Sequence, residues 1–244
     1  MTAGPLLAIR GLAKSFGGLQ AVRSFDLDVP AGSIVGLIGP NGSGKTTVLN
    51  LVTGEIAADG GSVRLDGREM IGKPAFRICR ARIARTFQLV RILPGMTTRE
   101  NVLIGRLFGA APTTPKHARG EVDALLDRVG LSELADQAGA QLTYIDQKRV
   151  ELARALATQP RLLLLDEWLA GLNPSELQIG IKLIRRIRDE GVTIVMIEHV
   201  MEAIRALCDH VVVMSAGGLI AAGAPDAVLN DPEVARVYLG DDHA

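Results

Sequence analysis

The chain has 244 residues, of which 48% are hydrophobic, and its 27 basic side chains balance its 27 acidic ones, so the formal net charge is zero. This composition excludes a disordered chain, and the lack of a basic excess argues against a nucleic-acid binder. Aromatic residues make up only 3%, which disfavours base stacking as a mode of recognition. The length fits one large domain, or one domain with a subdomain.

Membrane-spanning and secretory segments are not expected. The sequence contains no run of about 18 uncharged apolar residues, so a protein of this kind that works at a membrane would need a separate membrane chain. Residues 1–5 show neither a basic nor a long apolar region, so we expect no signal peptide. Cys79 and Cys208 belong to no Cys-x-x-Cys pair or Cys/His cluster, which predicts two reduced thiols in a cytoplasmic protein and no zinc site.

The first third of the chain predicts strands that lead into a glycine-rich loop. Phe25, Leu27 and Val29 alternate with aspartates, as in a strand with one buried face. Residues 34–38 form a short apolar run, which is typical of a strand buried on both faces. The predicted strands are 6–9, 25–29, 34–38 and 62–65, the predicted helix is 46–52, and turns are expected at 17–18, 30–32 and 59–61.

The rest of the chain alternates helices with strands. Val122, Leu125, Leu126 and Val129 have the spacing of an amphipathic helix, whereas residues 110–120, which contain Pro, Thr and Gly, are interpreted as an exposed loop. Further helices are predicted at 147–157 and 174–190, and further strands at 162–165, 192–197 and 211–214. This alternation predicts the α/β class, with a mostly parallel sheet that is covered by helices on both faces.

One glycine-rich segment predicts phosphate binding. Residues 39–46 read Gly-Pro-Asn-Gly-Ser-Gly-Lys-Thr and fit the G-x-x-x-x-G-K-[ST] loop in full, between a predicted buried strand and a predicted helix. Glycines let backbone N–H groups turn towards phosphate oxygens, and a helix N-terminus adds its positive dipole end. We expect Lys45 to reach the β- and γ-phosphates and Thr46 to bind Mg²⁺. A chance glycine-rich turn is the alternative, and the strand-loop-helix context disfavours it.

A second, acidic element supports hydrolysis rather than nucleotide binding alone. The four leucines at 162–165 predict a buried strand that ends at Asp166 and Glu167. Because ligands collect at the carboxyl ends of parallel strands, Asp166 is expected to hold Mg²⁺ through water. Glu167 could then polarise the attacking water as a general base or an orienting group. Two acids after a leucine run are by themselves more often a helix cap, so the interpretation depends on the phosphate loop.

From about Leu6 to Leu239 the chain resembles the nucleotide-binding subunits of ABC transporters. Phe16 stands before two glycines, where that family has an aromatic ring that stacks on adenine. Gln88, in Arg-Thr-Phe-Gln, matches the Q-loop glutamine, which contacts Mg²⁺ and faces the transmembrane partner. His199 follows a predicted strand and matches the switch histidine that contacts the γ-phosphate. Taken singly, these three could be a core phenylalanine, a surface glutamine and a structural histidine.

The resemblance implies a fold and a set of site residues. Residues 1–88 and 143–244 would form a P-loop NTPase core, a mostly parallel sheet with flanking helices that carries an N-terminal antiparallel β subdomain. Residues 89–142 would form a helical subdomain that contacts the transmembrane partner, and residues 170–173 match the D-loop. The implied catalytic residues are Lys45, Glu167 and His199, and the implied metal ligands are Thr46, Gln88 and Asp166. The implied nucleotide-binding residues are Phe16, Gly39, Pro40, Asn41, Gly42, Ser43, Gly44, Lys45, Thr46, Thr47, Gln88, Thr143 and Ile145.

Within that family, residues 36–45, 84–88, 170–174 and 197–199 resemble the ATPases of branched-chain amino-acid importers. The resemblance implies ATP and Mg²⁺ as cofactors, transmembrane permease subunits and a second ATPase subunit as partners, and indirect work with a periplasmic or extracellular solute-binding protein. It places the chain on the cytoplasmic face of the plasma membrane. Related amide, urea and lipopolysaccharide transport ATPases remain alternatives. So does a soluble, non-transport ABC ATPase, although such proteins usually have two fused ATPase units or long coiled coils.

The sequence departs from the family at the signature motif. Where importers of this group often have Leu-Ser-Tyr-Gly-Gln, residues 142–146 read Leu-Thr-Tyr-Ile-Asp, so Ile145 replaces a glycine and Asp146 replaces a glutamine. In the family this segment contacts the γ-phosphate held by the other subunit. A β-branched residue resists both a positive φ and a close backbone approach. Trp168 also stands where the family usually has proline.

Two interpretations of the altered signature stay open. The backbone N–H groups could still point at the phosphate while the side chains of Ile145 and Asp146 face away. Alternatively, the working dimer is asymmetric: this chain's Lys45, Asp166 and Glu167 would hydrolyse ATP against a partner's intact signature, while the altered signature here would serve a slower site.

Overall fold

The computed structural model describes residues 4–111 and 113–239, which fall into two units. The first unit contains the chain up to Ala75 and again from Leu169 onward, and the second contains Phe76–Trp168. The predicted helical segment 89–142 lies inside the second unit. None of the helices in the described ranges combines the length and the apolarity that are needed to cross a membrane.

The first unit begins with strands and the helix that follows the glycine-rich loop. Its elements up to residue 75 are β1 (Leu7–Phe16), β2 (Leu19–Val29), β3 (Ile34–Ile38), α1 (Lys45–Val52), β4 (Gly60–Leu65) and β5 (Arg68–Glu69). The second unit contains most of α2 (Ala75–Arg80), then β6 (Ile83–Arg85), α3 (Thr98–Phe108), α4 (Pro115–Arg128), α5 (Tyr144–Ala157) and β7 (Leu162–Asp166). The chain then returns to the first unit with α6 (Pro174–Asp189), β8 (Thr193–Ile197), α7 (Met201–Leu207), β9 (His210–Ser215), β10 (Gly218–Gly223), α8 (Pro225–Leu229) and α9 (Pro232–Leu239).

Four strands of the first unit form an antiparallel sheet in the order β2-β1-β4-β5. β1 and β2 form a hairpin whose register runs from the Leu7–Val29 pair to the Phe16–Leu19 pair. Gly17 turns the hairpin with a φ of 57°, which a glycine adopts without steric cost. The predicted alternation in β2 is confirmed, because Phe25, Leu27 and Val29 are buried between exposed aspartates.

The same unit contains a second, mostly parallel sheet. β3 pairs in parallel with β8 on one side and with β9 on the other, and β10 adds an antiparallel edge to β9. Every residue of β3 and of β8 is buried, as the short apolar runs predict for strands that are covered on both faces. The glycine-rich loop therefore begins at the carboxyl end of a central strand, where α/β folds bind their ligands.

The second unit combines helices with a short parallel strand pair. β6 pairs in parallel with β7, so that Ile83 lies opposite Leu162 and Arg85 opposite Leu164. α3 packs mainly against α5 and α4. A capping box at its start, formed by Thr97 and Glu100, satisfies the first backbone N–H groups of α3.

The prediction of a loop over residues 110–120 is wrong for its second half, because α4 begins at Pro115. A proline in the first turn suits a helix, since its φ is already helical and its missing N–H would have no helical acceptor there. Ala118 is buried together with Val122 and Leu126, so the apolar stripe extends one turn further back than the larger side chains indicate. Residue 112 lies outside the described residues.

The other predicted elements are confirmed, most with small shifts at their ends. β1 and β2 are much longer than the predicted strands 6–9 and 25–29, because the two strands pair along a long hairpin. α5 begins at Tyr144 rather than at residue 147, because Thr143 caps the helix with its side chain. β7 extends through Asp166, so the first of the two predicted acids is the last residue of the strand and the second is the first residue after it.

Candidate functional site

The phosphate loop connects the buried end of β3 to the start of α1. Gly39 and Gly44 have φ values of 146° and 105°, so both lie outside the region that other residues favour. A Cβ on Gly39 would lie 2.1 Å from the Met214 carbonyl oxygen, and one on Gly44 would lie 2.3 Å from the Ala21 carbonyl oxygen. These two glycines are therefore required by the packing of the loop itself.

Lys45 is folded into the loop that precedes it. Its side chain is buried, and its Nζ donates hydrogen bonds of 2.7 Å to the Gly39 carbonyl and 2.9 Å to the Pro40 carbonyl. The hydroxyl of Ser43 is also buried and has no hydrogen-bond partner within the described residues. A cation and a hydroxyl are thus held at a helix N-terminus, which is the donor set that binds phosphate oxygens.

The remaining loop residues face solvent. Asn41 and Gly42 are exposed, and Gly42 has a φ of 78° with open space where a side chain would stand. Thr46 is exposed and Thr47 is half-buried in the first turn of α1. Thr46 follows Lys45 directly in the chain, at the start of α1.

Phe16 and His199 also belong to the first unit. Phe16 ends β1 with 48% of its surface exposed, and the Nζ of Lys14 lies 5.5 Å from the centre of its ring. The ring is thus not a core side chain and presents a face to solvent. His199 is half-buried and follows β8 after Glu198, whose buried carboxylate accepts a 2.6 Å hydrogen bond from the Leu169 backbone N–H.

The segment 170–173 ends in a capping box. The Asn173 side chain accepts a hydrogen bond from the Glu176 N–H, and the Glu176 carboxylate accepts one from the Asn173 N–H, both at 2.9 Å. Reciprocal capping of this kind fixes the start of α6 and with it the end of the predicted D-loop.

In the second unit, Asp166 forms a buried ion pair that the sequence did not predict. Its carboxylate lies 2.7 Å from the guanidinium of Arg85, and both side chains are almost fully buried. The Asp166 backbone N–H also donates a 3.3 Å hydrogen bond to the Thr86 hydroxyl. Arg85 ends β6 beside β7, so the pairing of these two strands was the only signal that could have predicted the contact.

The structure brings Gln88 and Glu167 together, as two of the predicted site residues. The side-chain amide of Gln88 donates a 2.8 Å hydrogen bond to Oε2 of Glu167. Glu167 has a φ of 51°, and such a left-handed conformation costs a non-glycine residue about 1–2 kcal/mol. Strain of this kind, immediately after a buried strand, is a feature of functional sites.

Glu151 on α5 holds the backbone on both sides of Gln88. Its buried carboxylate accepts hydrogen bonds from the N–H groups of Phe87, at 3.2 Å, and Arg91, at 3.0 Å. Burial raises the pKa of this carboxyl group, and the two backbone N–H groups and the nearby arginines oppose that rise. The role of Glu151 could not be predicted from the sequence, because its position in a helix does not reveal which loop it faces.

The altered signature forms an ordinary helix start. The Thr143 hydroxyl accepts a 3.3 Å hydrogen bond from the Asp146 N–H and donates one of 2.6 Å to the Asp146 carboxylate. Asp146 also pairs with Arg149 at 3.2 Å, so its charge is partly compensated. Ile145 lies in the first turn of α5 and is not among the residues with positive φ. The expected conflict with a positive φ at Ile145 is therefore absent, whereas the expected resistance of its side chain to a close approach stays a prediction.

Comparison with known proteins decides the family. The profile of the family described as "ABC transporter" matches residues 22–170, which is more than half of the chain. The chain belongs to the ABC transporter family. A second profile, described as "Branched-chain amino acid ATP-binding cassette transporter", matches residues 219–244. The resemblance inferred from the phosphate loop, the paired acids and the Q-loop is thus confirmed, and the chain is an ABC ATPase.

Relatives and solved structures agree with this family. The chain is 40% identical to the high-affinity branched-chain amino acid transport ATP-binding protein BraF of Pseudomonas aeruginosa, over 97% of this chain and 98% of that protein. It is 41% identical, with the same coverage, to LivG of Escherichia coli, which has the same description. The crystal structure of the ADP conformation of MJ1267, an ATP-binding cassette of an ABC transporter, matches with a TM-score of 0.89 and 30% identity, over 96% of this chain and 98% of that one. The predicted fold class is confirmed.

Proposed function

We propose that this ABC ATPase powers the import of branched-chain or related amino acids. One observation carries the proposal: the likeness to BraF and LivG covers 97% of the chain. The match of residues 219–244 to the branched-chain amino-acid cassette profile supports it. A transport ATPase does not itself contact the solute. The likeness therefore supports the solute class indirectly, because it indicates the type of transporter in which the chain works.

The proposed nucleotide-binding role belongs to the phosphate loop and its neighbours. Lys45 and backbone N–H groups of residues 41–46 bind the phosphates, and the Ser43 hydroxyl adds a donor. Support comes from the burial of Lys45 against two loop carbonyls and from the location of the loop at the N-terminus of α1. Phe16 supplies an exposed ring for the adenine, and His199 acts as the γ-phosphate sensor.

The proposed metal is Mg²⁺, and the chemistry of the available donors fits it. Within residues 4–111 and 113–239, no cluster of three or more His, Cys, Asp or Glu side chains could hold a metal by itself. This suits Mg²⁺, which is usually bound by one or two carboxylates together with substrate phosphates. Thr46, Asp166 and Gln88 would supply a hydroxyl, a carboxylate and an amide oxygen. When bound, the ion would neutralise charge on the transferred phosphoryl group.

Glu167 is the proposed general base or orienting group for the attacking water. Its carboxylate is only half-buried and is oriented by the hydrogen bond from Gln88. An oriented carboxylate directly after a strand that ends in a metal-binding aspartate is the arrangement that water activation requires.

The proposed assembly is a transporter on the cytoplasmic face of the plasma membrane. Permease subunits would form the transmembrane part, a second ATPase subunit would complete the nucleotide sites, and a solute-binding protein outside the membrane would deliver the amino acid. ATP binding would close the two ATPase subunits and hydrolysis would reopen them, so that γ-phosphate contacts select between two conformations.

Uptake of labelled leucine, isoleucine and valine in the source organism tests this function. Deletion of the gene for this chain should abolish the uptake, and the wild-type chain should restore it. Glu167→Gln should bind ATP and fail to restore uptake, with turnover reduced by orders of magnitude. Glu55→Gln is the matched control, because Glu55 is an exposed glutamate outside the segment 89–142 that is expected to contact the permease.

Two outcomes would contradict the proposal in different ways. If the deletion strain imports these amino acids normally and loses uptake of urea or an amide, the solute class is wrong. If the Glu167→Gln chain hydrolyses ATP at the wild-type rate, Glu167 is not the base, whatever the solute.

A further inference from the structure

Lys148 connects the helix that follows the signature motif to the backbone of the candidate base. Its Nζ donates hydrogen bonds of 3.2 Å to the Glu167 carbonyl and 3.1 Å to the Trp168 carbonyl. In return, Nε1 of Trp168 donates a 3.1 Å hydrogen bond to the Lys148 carbonyl. The side chain and the backbone of Lys148 thus both form hydrogen bonds with the two residues that follow β7.

The hydrogen bonds between Lys148 and Trp168 are buried, and the bond from Lys148 to the Glu167 carbonyl is partly buried. Lys148 and Trp168 each expose only 3% of their surface. A buried ammonium group needs polar partners, since removing a charge from water is otherwise costly. The contacts of Lys148 include two carbonyl dipoles and the face of the Tyr144 ring, whose centre lies 5.2 Å from Nζ. An ordinary surface lysine would not keep such a position.

The hydrogen bonds from Lys148 end at a strained part of the backbone. Glu167 has a φ of 51°, so the chain turns sharply at this residue. Successive residues of an extended strand face opposite sides, whereas here two successive carbonyls, of Glu167 and Trp168, point to one ammonium group. Lys148 thus binds the backbone of the residue whose side chain meets Gln88, and strained conformations persist only when their surroundings fix them.

We propose that Lys148 is a positioning residue for ATP hydrolysis, which holds Glu167 in its working orientation and ties it to the signature helix α5. Trp168 completes the link from the other side. The proposal rests on the role of Glu167 proposed above. It also accounts for the tryptophan at position 168, because a proline there would have no indole N–H to donate to the Lys148 carbonyl.

The test is the steady-state ATPase activity of the transporter assembled with the full-length chain. Lys148→Met removes the ammonium group and keeps an unbranched side chain of similar length. We expect kcat to fall by roughly a hundredfold, since small displacements of a catalytic group have effects of this size. The KM for ATP should change little, because the phosphate loop is untouched. Lys148→Arg keeps a buried cationic donor and should recover much of the loss.

A double-mutant cycle separates positioning from general destabilisation. If Lys148 acts through Glu167, then Lys148→Met should cause no further loss of hydrolysis in a Glu167→Gln chain. The emission of Trp168, the single tryptophan of the sequence, reports in the same samples whether this region stays folded. Lys182→Met is the matched control, because Lys182 is an exposed lysine on α6 and should leave kcat unchanged.

The outcomes are distinguishable. Wild-type kcat in Lys148→Met, or an equal loss in the Glu167→Gln background, would overturn the positioning role. If Lys148→Met shifts the Trp168 emission towards that of the unfolded chain, Lys148→Gln and Trp168→Phe replace it, and wild-type turnover per folded molecule in both would overturn the proposal. Full activity of Glu167→Gln alone would instead contradict the proposed role of Glu167.

Discussion

The side-chain amide of Gln88 donates a 2.8 Å hydrogen bond to the carboxylate of Glu167, so the Q-loop and the candidate base are in direct contact. Both residues belong to the second unit, and each is held by α5 at its backbone. Glu151 accepts hydrogen bonds from the N–H groups that flank Gln88, and Lys148 donates to the carbonyl of Glu167. One helix therefore positions two side chains that the sequence places far apart.

Two substitutions at Gln88 separate its possible roles. Gln88→Leu removes the hydrogen-bond donor, and we expect a lower kcat because the Glu167 carboxylate loses its orientation. Gln88→Glu places a second carboxylate beside Glu167, and two like charges at that distance repel, so kcat should fall further. Steady-state ATPase assays of both variants decide the question. If Gln88 serves only as a metal ligand, the glutamate variant would instead be the milder of the two.

The Glu151 carboxylate should protect the Q-loop backbone from solvent exchange. Glu151→Met leaves the N–H groups of Phe87 and Arg91 without their acceptor, which costs about 1–3 kcal/mol for a buried group. Amide hydrogen exchange measured residue by residue should accelerate at these two positions and stay unchanged in β7. Glu133→Met, at an exposed glutamate of the same unit, is the control. Unchanged protection of Phe87 and Arg91 would show that Glu151 does not hold the loop.

Local patterns were sufficient to predict the central elements of this fold, whereas β5, β6, β10, α2, α3, α7, α8 and α9 were not predicted. The phosphate loop, the buried strands and the acids after β7 were predictable because each is a contiguous motif with its own periodicity or composition. The start of α4 was not, since Pro115 and Gly120 suggest a loop until the burial of Ala118 is known. The start of α5 was missed for a similar reason, because Thr143 could be recognised as a cap only once its hydrogen bond to Asp146 was seen.

The contacts between residues of the candidate site could not be predicted from the sequence, and the reason is physical. Arg85 meets Asp166 because β6 lies beside β7, and strand order is decided by tertiary packing. Lys148 and Glu151 look like ordinary polar residues of an amphipathic helix, and their burial depends on which segments cover α5. The sequence shows the spacing of Lys148 and Glu151 along the helix, but it does not show which residues they contact.

The thiol of Cys208 should be unreactive in the folded chain. Burial, with the nearby charges of Asp209 and Glu198, raises its pKa from the ordinary 9.0 to about 12. The unfolded thiol therefore ionises at a lower pH than the folded one, so stability is lost as pH rises above 9. The free energy of unfolding, obtained by linear extrapolation of denaturant titrations, should fall between pH 8 and pH 10. The fall should be smaller for Cys208→Ala than for the wild type.

Alkylation provides an independent check on the same thiol. Iodoacetamide at neutral pH should modify the half-buried Cys79 slowly and Cys208 only after unfolding, because the thiolate is the reactive form and burial raises the pKa of both thiols. Peptide mass spectrometry identifies the modified position. Labelling of native Cys208 at the rate of an exposed thiol would contradict its burial.

Ile145 is the residue that distinguishes this signature from the family pattern, and its effect should come from bulk alone. Because Ile145 already lies in helical conformation, replacing it with alanine or with glycine should relieve the same obstruction to an approaching phosphate. Glycine would add a helix penalty of up to about 1 kcal/mol, so Ile145→Ala should be the more stable variant.

We therefore expect both Ile145→Ala and Ile145→Gly to raise the ATPase activity of the chain alone, where every signature is altered. In the complex with a partner ATPase subunit that has an intact signature, the gain should be smaller, since only one of two sites uses Ile145. Ile179→Ala, at an exposed isoleucine of α6, controls for loss of a surface side chain. Equal activity of wild type and both variants, alone and with the partner, would show that the backbone N–H groups of this segment make the contact and that the side chain faces away.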